Sequence, residues 1–215
     1  LDTIFKRYPG LIIENCASGG MRMNYAMLSR CSIQSLSDQS DYRKLAVIAA
    51  AAPSAVTPEQ CGVWSYPSRD SSPEEVAFNM VNALLLRVHQ SGDLAGLPPE
   101  SFALVREGLD YYKSIRHDIP KSIPFWPLGL PSFDDEWISL GLKCNDKAYL
   151  AVWRLGSQND TCSIPIEIFK DREIAVRCGY PANLKASYWW NKNSGILTMK
   201  LPGCYTARIF EISVL

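Results

Sequence analysis

An α/β region followed by an all-β region is the fold class this sequence predicts: the C-terminal half of a TIM (β/α)8 barrel, then a small antiparallel β-sandwich. Three observations carry it. From Leu1 to about Asp118, short apolar runs alternate with helical ones, the pattern of βα units on a parallel sheet. After Asp118 the prolines Pro120, Pro124, Pro127 and Pro131 mark a linker, and beyond them apolar residues alternate at period two between turn clusters. The first region holds only about four strand–helix steps, and a curled parallel sheet of four strands leaves an edge and an inner face uncovered. The missing half of the barrel is therefore expected to precede Leu1. The chain also starts at Leu1 rather than Met, within what reads as the tail of a helix (Asp2 to Tyr8), and a fragment of a longer polypeptide is expected. The predicted domains are 1–118, the end of the barrel, and 119–215, the sandwich.

Leu11 to Ile13 follow Pro9-Gly10 and end in Cys16-Ala17-Ser18-Gly19-Gly20, which predicts a buried strand, its loop and a short helix from Met21 to Leu28. Cys31 to Leu36 is the next strand. Ser37, Asp38, Ser40 and Asp41 crowd the start of an Ala-rich helix, Tyr42 to Ala52. Ser54 to Val56 is predicted as a very short strand. Thr57 to Ser72 follows as a long loop holding Glu59, Gln60, Trp64 and Tyr66, a length that usually accompanies function. Pro73-Glu74-Glu75 opens a helix, with Pro and acids where the first turn favours them. A strand is expected near Leu84 to Val88, and Pro98-Pro99-Glu100 starts a long amphipathic helix to Arg116. In the second region the predicted strands are Tyr149 to Leu155, Ile164 to Phe169, Ala186 to Trp190, Ile196 to Leu201 and Tyr205 to Val214.

Composition narrows the function. Among 215 residues, 22 basic side chains balance 22 acidic ones, so the chain lacks the basic excess that attracts phosphate backbones, and nucleic acid is not an expected partner. Apolar residues make up 47%, enough for a core, yet the longest apolar run, Leu45 to Ala52, is too short to cross a bilayer; no membrane partner is expected. Seven cysteines, an odd number without a CxxC pair, lie in no metal-ligand spacing with His89 or His117. They read as reduced and mostly buried, which favours the cytoplasm, although any targeting signal would precede Leu1. Six Trp and ten Tyr supply flat amphipathic rings that suit sugar faces as well as cores.

The residues Leu11-Ile12-Ile13-Glu14-Asn15-Cys16-Ala17-Ser18-Gly19-Gly20-Met21-Arg22, followed by Ser37-Asp38-Gln39-Ser40-Asp41, resemble the second half of a glycoside hydrolase family 36 enzyme, the α-galactosidases. The family pattern is an apolar strand ending E-x-C-x-S-G-G-G-R-F-D and a strand ending S-D-x-x-D. A helix resembling Tyr111-Tyr112-Lys113-Ser114-Ile115-Arg116 and a C-terminal β-sandwich follow. The resemblance covers nearly the whole chain, and Pro58 to Pro67 matches a sister group. Departures fall in the loop, where Met21 replaces the third Gly and Met23-Asn24 replaces Phe-Asp, and at Ser35, where a Trp is usual.

Alone, Asp38 reads as an N-cap for the Tyr42 helix, although Asp41 is the better cap. The resemblance makes Asp38 the general acid/base of a retaining glycosidase, protonating the leaving oxygen and later deprotonating water. It makes Cys16 and Gly19 contacts to galactose hydroxyls, with Ser18 assisting. Without it, Cys16 reads as a small buried hydrophobe and Gly19-Gly20 as a tight turn. Arg22 pairs with an orienting carboxylate or is an ordinary surface Arg. Glu59 and Trp64 line the rim or anchor a loop, and His89 faces the site or sits satisfied in the core.

A retaining enzyme also needs a nucleophile about 5 Å from the acid. Its family motif, K-x-D, is absent, and Asp93, Asp134 and Asp135 lack the family context. The expected function is therefore part of a retaining α-galactosidase, inactive without the N-terminal remainder of the same polypeptide and acting on α-galactoside oligosaccharides. No metal and no cofactor are implied, and homo-oligomerisation stays open. The alternatives are a related α-glycosidase or galactosyl transferase, or a non-catalytic sugar-binding or structural fragment.

Overall fold

The computed structural model describes residues 1–215. Strands β1 (Glu14–Asn15), β2 (Ile33–Ser35), β3 (Cys61–Ser65) and β4 (Arg87–Gln90) form one parallel sheet in chain order. Glu14 pairs with Ile33, Gln34 with Cys61 and Trp64 with His89. Helices α1 (Asp2–Arg7), α2 (Tyr25–Leu28), α3 (Tyr42–Ala51), α4 (Pro73–Leu84) and α5 (Pro99–Ile115) alternate with these strands. Their starts follow local chemistry. Asn24, Asp41 and Ser72 each cap a helix with a side-chain oxygen, accepting from the amides of Met27, Arg43 and Glu75.

Several boundaries correct the sequence expectation. Leu11 to Ile13 is not a buried strand: the ladder starts at Glu14, and Leu11 and Ile12 are exposed because β1 is the edge of the sheet. The helix expected from Met21 starts only at Tyr25, where Asn24 supplies the cap. Ala52–Ser54 is a turn of 3-10 helix rather than a strand approach, and Ser54 to Val56 pairs with nothing. The expected long loop from Thr57 to Ser72 instead contains β3, one of the two interior strands of the sheet. Helix α4 ends at Leu84, Leu85 and Leu86 form the turn that follows it, and β4 begins only at Arg87. Short apolar runs fit either state, and here most of this one is spent on the helix end and its turn.

The antiparallel strands are β5 (Ile123–Phe125), β6 (Trp137–Cys144), β7 (Lys147–Arg154), β8 (Thr161–Pro165), β9 (Ile174–Tyr180), β10 (Ser187–Asn191), β11 (Ile196–Lys200) and β12 (Thr206–Val214). They form a five-stranded sheet in the order β5-β6-β7-β12-β9 and a three-stranded sheet in the order β10-β11-β8. The proline-marked linker thus contributes an edge strand, a position where a proline such as Pro124 is tolerated because the strand is paired on one side only. Strands β6 and β9 were not expected from the sequence. Strand β8 ends at Pro165, and the rest of the expected Ile164 to Phe169 strand becomes a 3-10 turn.

The five-stranded sheet is buried on both faces. Along β7, Tyr149, Ala151 and Trp153 enter one core with α3, α4 and α5. Ala148, Leu150 and Val152 enter a second core with Ile164, Leu197 and Met199 of the three-stranded sheet. Helix α4 lies between the parallel sheet and the five-stranded one, and every residue from Val76 to Leu84 is buried. A helix buried all round must satisfy its polar atoms internally. Asn82 donates to the Tyr42 carbonyl at 2.9 Å and accepts from Trp153 Nε1 at 2.8 Å, while Asn79 accepts from the Tyr66 amide at 3.4 Å.

Three more bonds cross between the helices and the antiparallel region. Trp126 Nε1 donates to the Ala50 carbonyl at 2.7 Å, Tyr180 Oη to the Leu104 carbonyl at 3.1 Å, and Tyr149 Oη to Asp118 Oδ2 at 2.7 Å. The strongest crossing is ionic. Arg208 of β12, with no solvent exposure, grips both carboxylate oxygens of Glu74 in the first turn of α4 at 2.7 and 2.8 Å. Such a forked pair is geometrically exacting, and removing one partner strands the other charge. Glu74→Gln is expected to lower stability by about 3 kcal/mol, the low end for a broken buried pair because Glu74 keeps some solvent contact. Urea unfolding checks this, and the Glu74→Gln/Arg208→Met double variant should recover part of the loss.

Candidate functional site

The parallel arrangement brings the loops after β1 to β4 to one end of the sheet. The loop after β1 is anchored by a buried amide pair: Asn15 Nδ2 donates to Gln34 Oε1 at 2.6 Å and to the Arg22 carbonyl at 3.0 Å. Within it, Ala17 N donates to the Gly19 carbonyl at 3.3 Å. Ser18 and Gly19 both take left-handed conformations, at φ of 46° and 73°. Gly19 is obligatory here on two counts. A side chain is strained at that φ, and a Cβ would lie 2.3 Å from Ser37 Cα and 2.7 Å from Ser37 N. The loop therefore rests directly on the backbone that precedes Asp38.

The segment after β2 is held by its own side chains. Gln39 N donates to Ser37 Oγ at 3.1 Å, Asp41 N to Gln39 Oε1 at 2.9 Å, and Arg43 N to Asp41 Oδ1 at 3.0 Å. Asp41 is thus the cap of α3, and the capping reading of Asp38 is overturned. Asp38 is exposed, and its carboxylate accepts no hydrogen bond from the chain. Cys16 and Ser18 are exposed as well, so the reading of Cys16 as a buried hydrophobe also fails. All seven cysteines are free; Cys31, Cys61 and Cys144 are buried, Cys162 and Cys178 half-buried, and Cys204 exposed. Burial pushes the Cys162 thiol up to about 11.

The sheet face away from the helices carries a cluster that sequence reasoning did not assemble. Cys61 and Val63 enter the helix-side core, so Gly62 and Trp64 project to the other face. Trp64 Nε1 donates to Ser35 Oγ at 3.3 Å. Its ring packs edge-to-face with the His89 imidazole, centroids 4.8 Å apart, and stacks on Tyr66 with centroids 6.4 Å and planes 16° apart. The His89 ring lies over Gly62, where a Cβ would be 2.8 Å from its Cε1. His89 Nδ1 is 3.7 Å from Glu14 Oε1, an ion-pair distance too long for a hydrogen bond, and makes no hydrogen bond at all. Burial holds the imidazole below its ordinary range, with Arg87 adding to this and Glu14 opposing it. Burial, then the Asp38 charge, raises the Tyr66 hydroxyl above its usual value. The signal was present in the sequence, since Gly62, Trp64 and Tyr66 alternate at period two. It was missed because β3 was read as loop.

The other sequence candidates separate. Trp64 lies in β3 rather than in a loop, half-buried against Tyr66 and His89. Glu59 precedes β3, at the opposite end of the sheet from Asp38, and accepts from Thr57 Oγ1 at 2.8 Å, so it does not line this rim. The Arg22 guanidinium is exposed and pairs with no carboxylate. Asp93 pairs with Arg69 at 2.8 Å, and Asp135 accepts from Ser132 N at 2.7 Å. No group of three or more His, Cys, Asp or Glu side chains is gathered as a metal site, and no helix is long and apolar enough to cross a membrane.

Neither family models nor curated protein sequences match this chain. Solved structures do match, over the whole chain. The galactosidase domain of the α-galactosidase–sucrose kinase AgaSK superposes with a TM-score of 0.79 at 19% identity. The family 36 α-galactosidase AgaA from Geobacillus stearothermophilus, in complex with raffinose, gives 0.79 at 13%, and the α-galactosidase from Lactobacillus brevis 0.75 at 16%. Each is covered over 30% of its own length while this chain is covered over 100%. A putative α-N-acetylgalactosaminidase from Bacillus halodurans gives 0.55 at 13%, covering 91% of this chain and 47% of that one. The fold is therefore that of the C-terminal part of family 36 α-galactosidase chains.

Two outcomes follow from the geometry. Gly19→Ala is expected to lower stability by about 2 kcal/mol, through strained φ and the clash with Ser37. Gly10→Ala, where a Cβ meets nothing within 4 Å, should stay within about 0.5 kcal/mol in the same thermal melts. His89 binds its proton less readily folded than unfolded, so its contribution is complete above the ordinary histidine value of about 6.5 and declines as pH falls below it. His89→Gln should flatten the fall in denaturation midpoint between about pH 7 and pH 5.

Proposed function

We propose that this chain is the C-terminal part of a retaining family 36 α-galactosidase, hydrolysing terminal α-linked galactose from oligosaccharides. In this reading, residues 1–118 are the last four βα units of a (β/α)8 barrel and residues 119–215 its β-sandwich domain. The observation that carries it is the seating of Gly19 on the Leu36–Ser37 backbone, which joins the Cys16 to Gly20 loop to the segment bearing Asp38. The fold likeness to α-galactosidase chains, with 30% of their length covered, supports a piece of a longer polypeptide.

Asp38 is the general acid/base. Exposed and free of competing hydrogen bonds, its carboxyl donates a proton to the departing glycosidic oxygen as a carboxylate from the rest of the polypeptide attacks the anomeric carbon. In the second half-reaction Asp38 takes a proton from water, which displaces the nucleophile and restores the anomeric configuration. Cys16 and Ser18, with the backbone at Gly19, meet the galactose hydroxyls. The chemistry needs no cofactor, and free thiols favour a reducing compartment, the cytoplasm.

A second reading, a related α-glycosidase or a galactosyl transferase, is favoured by the altered loop. Met21 there is 81% exposed and Asn24 is committed to capping α2. A panel of aryl α-glycosides tested with the full-length polypeptide separates the two. Cleavage of the α-galactoside is expected, with kcat reduced about a thousandfold in Asp38→Ala and partly restored by azide as a glycosyl azide. The 215-residue chain alone should turn over none of the panel. Cleavage of only another glycoside would favour the second reading, and no cleavage by wild type would sink the glycosidase assignment.

A further inference from the structure

Asp38 stands between two different neighbours along the end of the sheet. On the β1 side lies the loop of Cys16, Ser18 and Gly19, pressed onto the Leu36–Ser37 backbone. On the β3 side lies Tyr66, the first residue past that strand, whose register with β2 is set by the pairing of Ser35 with Gly62. The Tyr66 ring is held on Trp64, and Trp64 in turn is fixed by Ser35 Oγ and the His89 edge. The Tyr66 backbone is tied as well, its amide donating to Asn79 Oδ1 of the buried helix α4. A ring so placed has a fixed direction, yet its hydroxyl donates to nothing in the chain. Partial burial and the nearby Asp38 charge keep that phenol protonated, hence a donor, through neutral pH.

A general acid bridges two sugars, the one that stays with the enzyme and the one that leaves. With the Cys16 to Gly19 loop on the first of these, the opposite flank of Asp38 belongs to the second. We propose that Tyr66 determines specificity for the leaving group, donating its phenolic hydrogen bond to a hydroxyl of the departing sugar while the Trp64–Tyr66 stack borders that subsite. This inference rests on the reading of Asp38 as acid/base. A saccharide leaving group presents hydroxyls to Tyr66. A nitrophenyl group presents none and, as a better leaving group, asks less of its surroundings.

Tyr66→Phe in the full-length polypeptide keeps the ring and its stack and removes only the donor. The ratio of kcat/KM for raffinose to that for 4-nitrophenyl α-galactoside is expected to fall about tenfold relative to wild type, with the melting temperature unchanged. An unchanged ratio, whether both substrates are slowed equally or neither is slowed, overturns the inference while wild-type cleavage of both leaves the α-galactosidase reading standing. Failure of wild type to cleave either substrate overturns both.

Discussion

The arrangement depends on helix α4 having no solvent face beyond its first turn. It separates a parallel sheet from an antiparallel one, so both sheets must bury side chains against the same twelve-residue segment from opposite sides. Apolar packing supplies the drive for this, and the polar contacts set the register. Glu74 at its first turn fixes the end of β12, Asn82 ties Trp153 of β7 to Tyr42 of α3, and Asn79 holds the residue after β3. These polar positions on one helix relate the two kinds of sheet and orient the strand end from which Tyr66 projects. Hydrophobic contact alone is non-directional and would tolerate sliding.

Much of this plan was legible where local chemistry decides. Pro73 with its acids, Asp41 as cap and the proline-opened α5 all fall where helix-terminus rules put them. The period-two runs of β7, β11 and β12 likewise announced themselves. What was illegible depended on tertiary neighbours. Cys61 to Ser65 is a strand because β2 and β4 flank it, and its length and its prolines at Pro58 and Pro67 made it look like loop. Leu11 and Ile12 carry the composition of a buried strand, yet in this chain nothing covers them beside the edge strand β1.

The candidate site divides in the same way. Asp38, Cys16, Ser18 and Gly19 were identified through a motif, and they sit in two adjacent loops joined at Gly19. Trp64 and His89 were noticed singly and without a partner. Their contact with each other, with Ser35 and with Tyr66 required knowing that β3 and β4 are neighbours with Trp64 opposite His89. Glu59, from the same stretch of sequence, went to the far end of the sheet because the strand between turns direction into distance: five residues of β3 separate the two ends.

The seat of Gly19 on the Leu36–Ser37 backbone also divides the loop into two parts with different freedom. Upstream of that contact, Asn15 and the backbone through Gly19 are locked to β2. Downstream, Met21 to Asn24 project into solvent and lead only to a four-residue helix with no buried side chain. Side-chain changes at Met21 and Arg22 leave both backbone anchors in place, the Gly19 seat and the bond from Asn15 to the Arg22 carbonyl. The side chains of that outer arc can therefore change while the segment bearing the Asp38 carboxylate keeps its seat against Gly19.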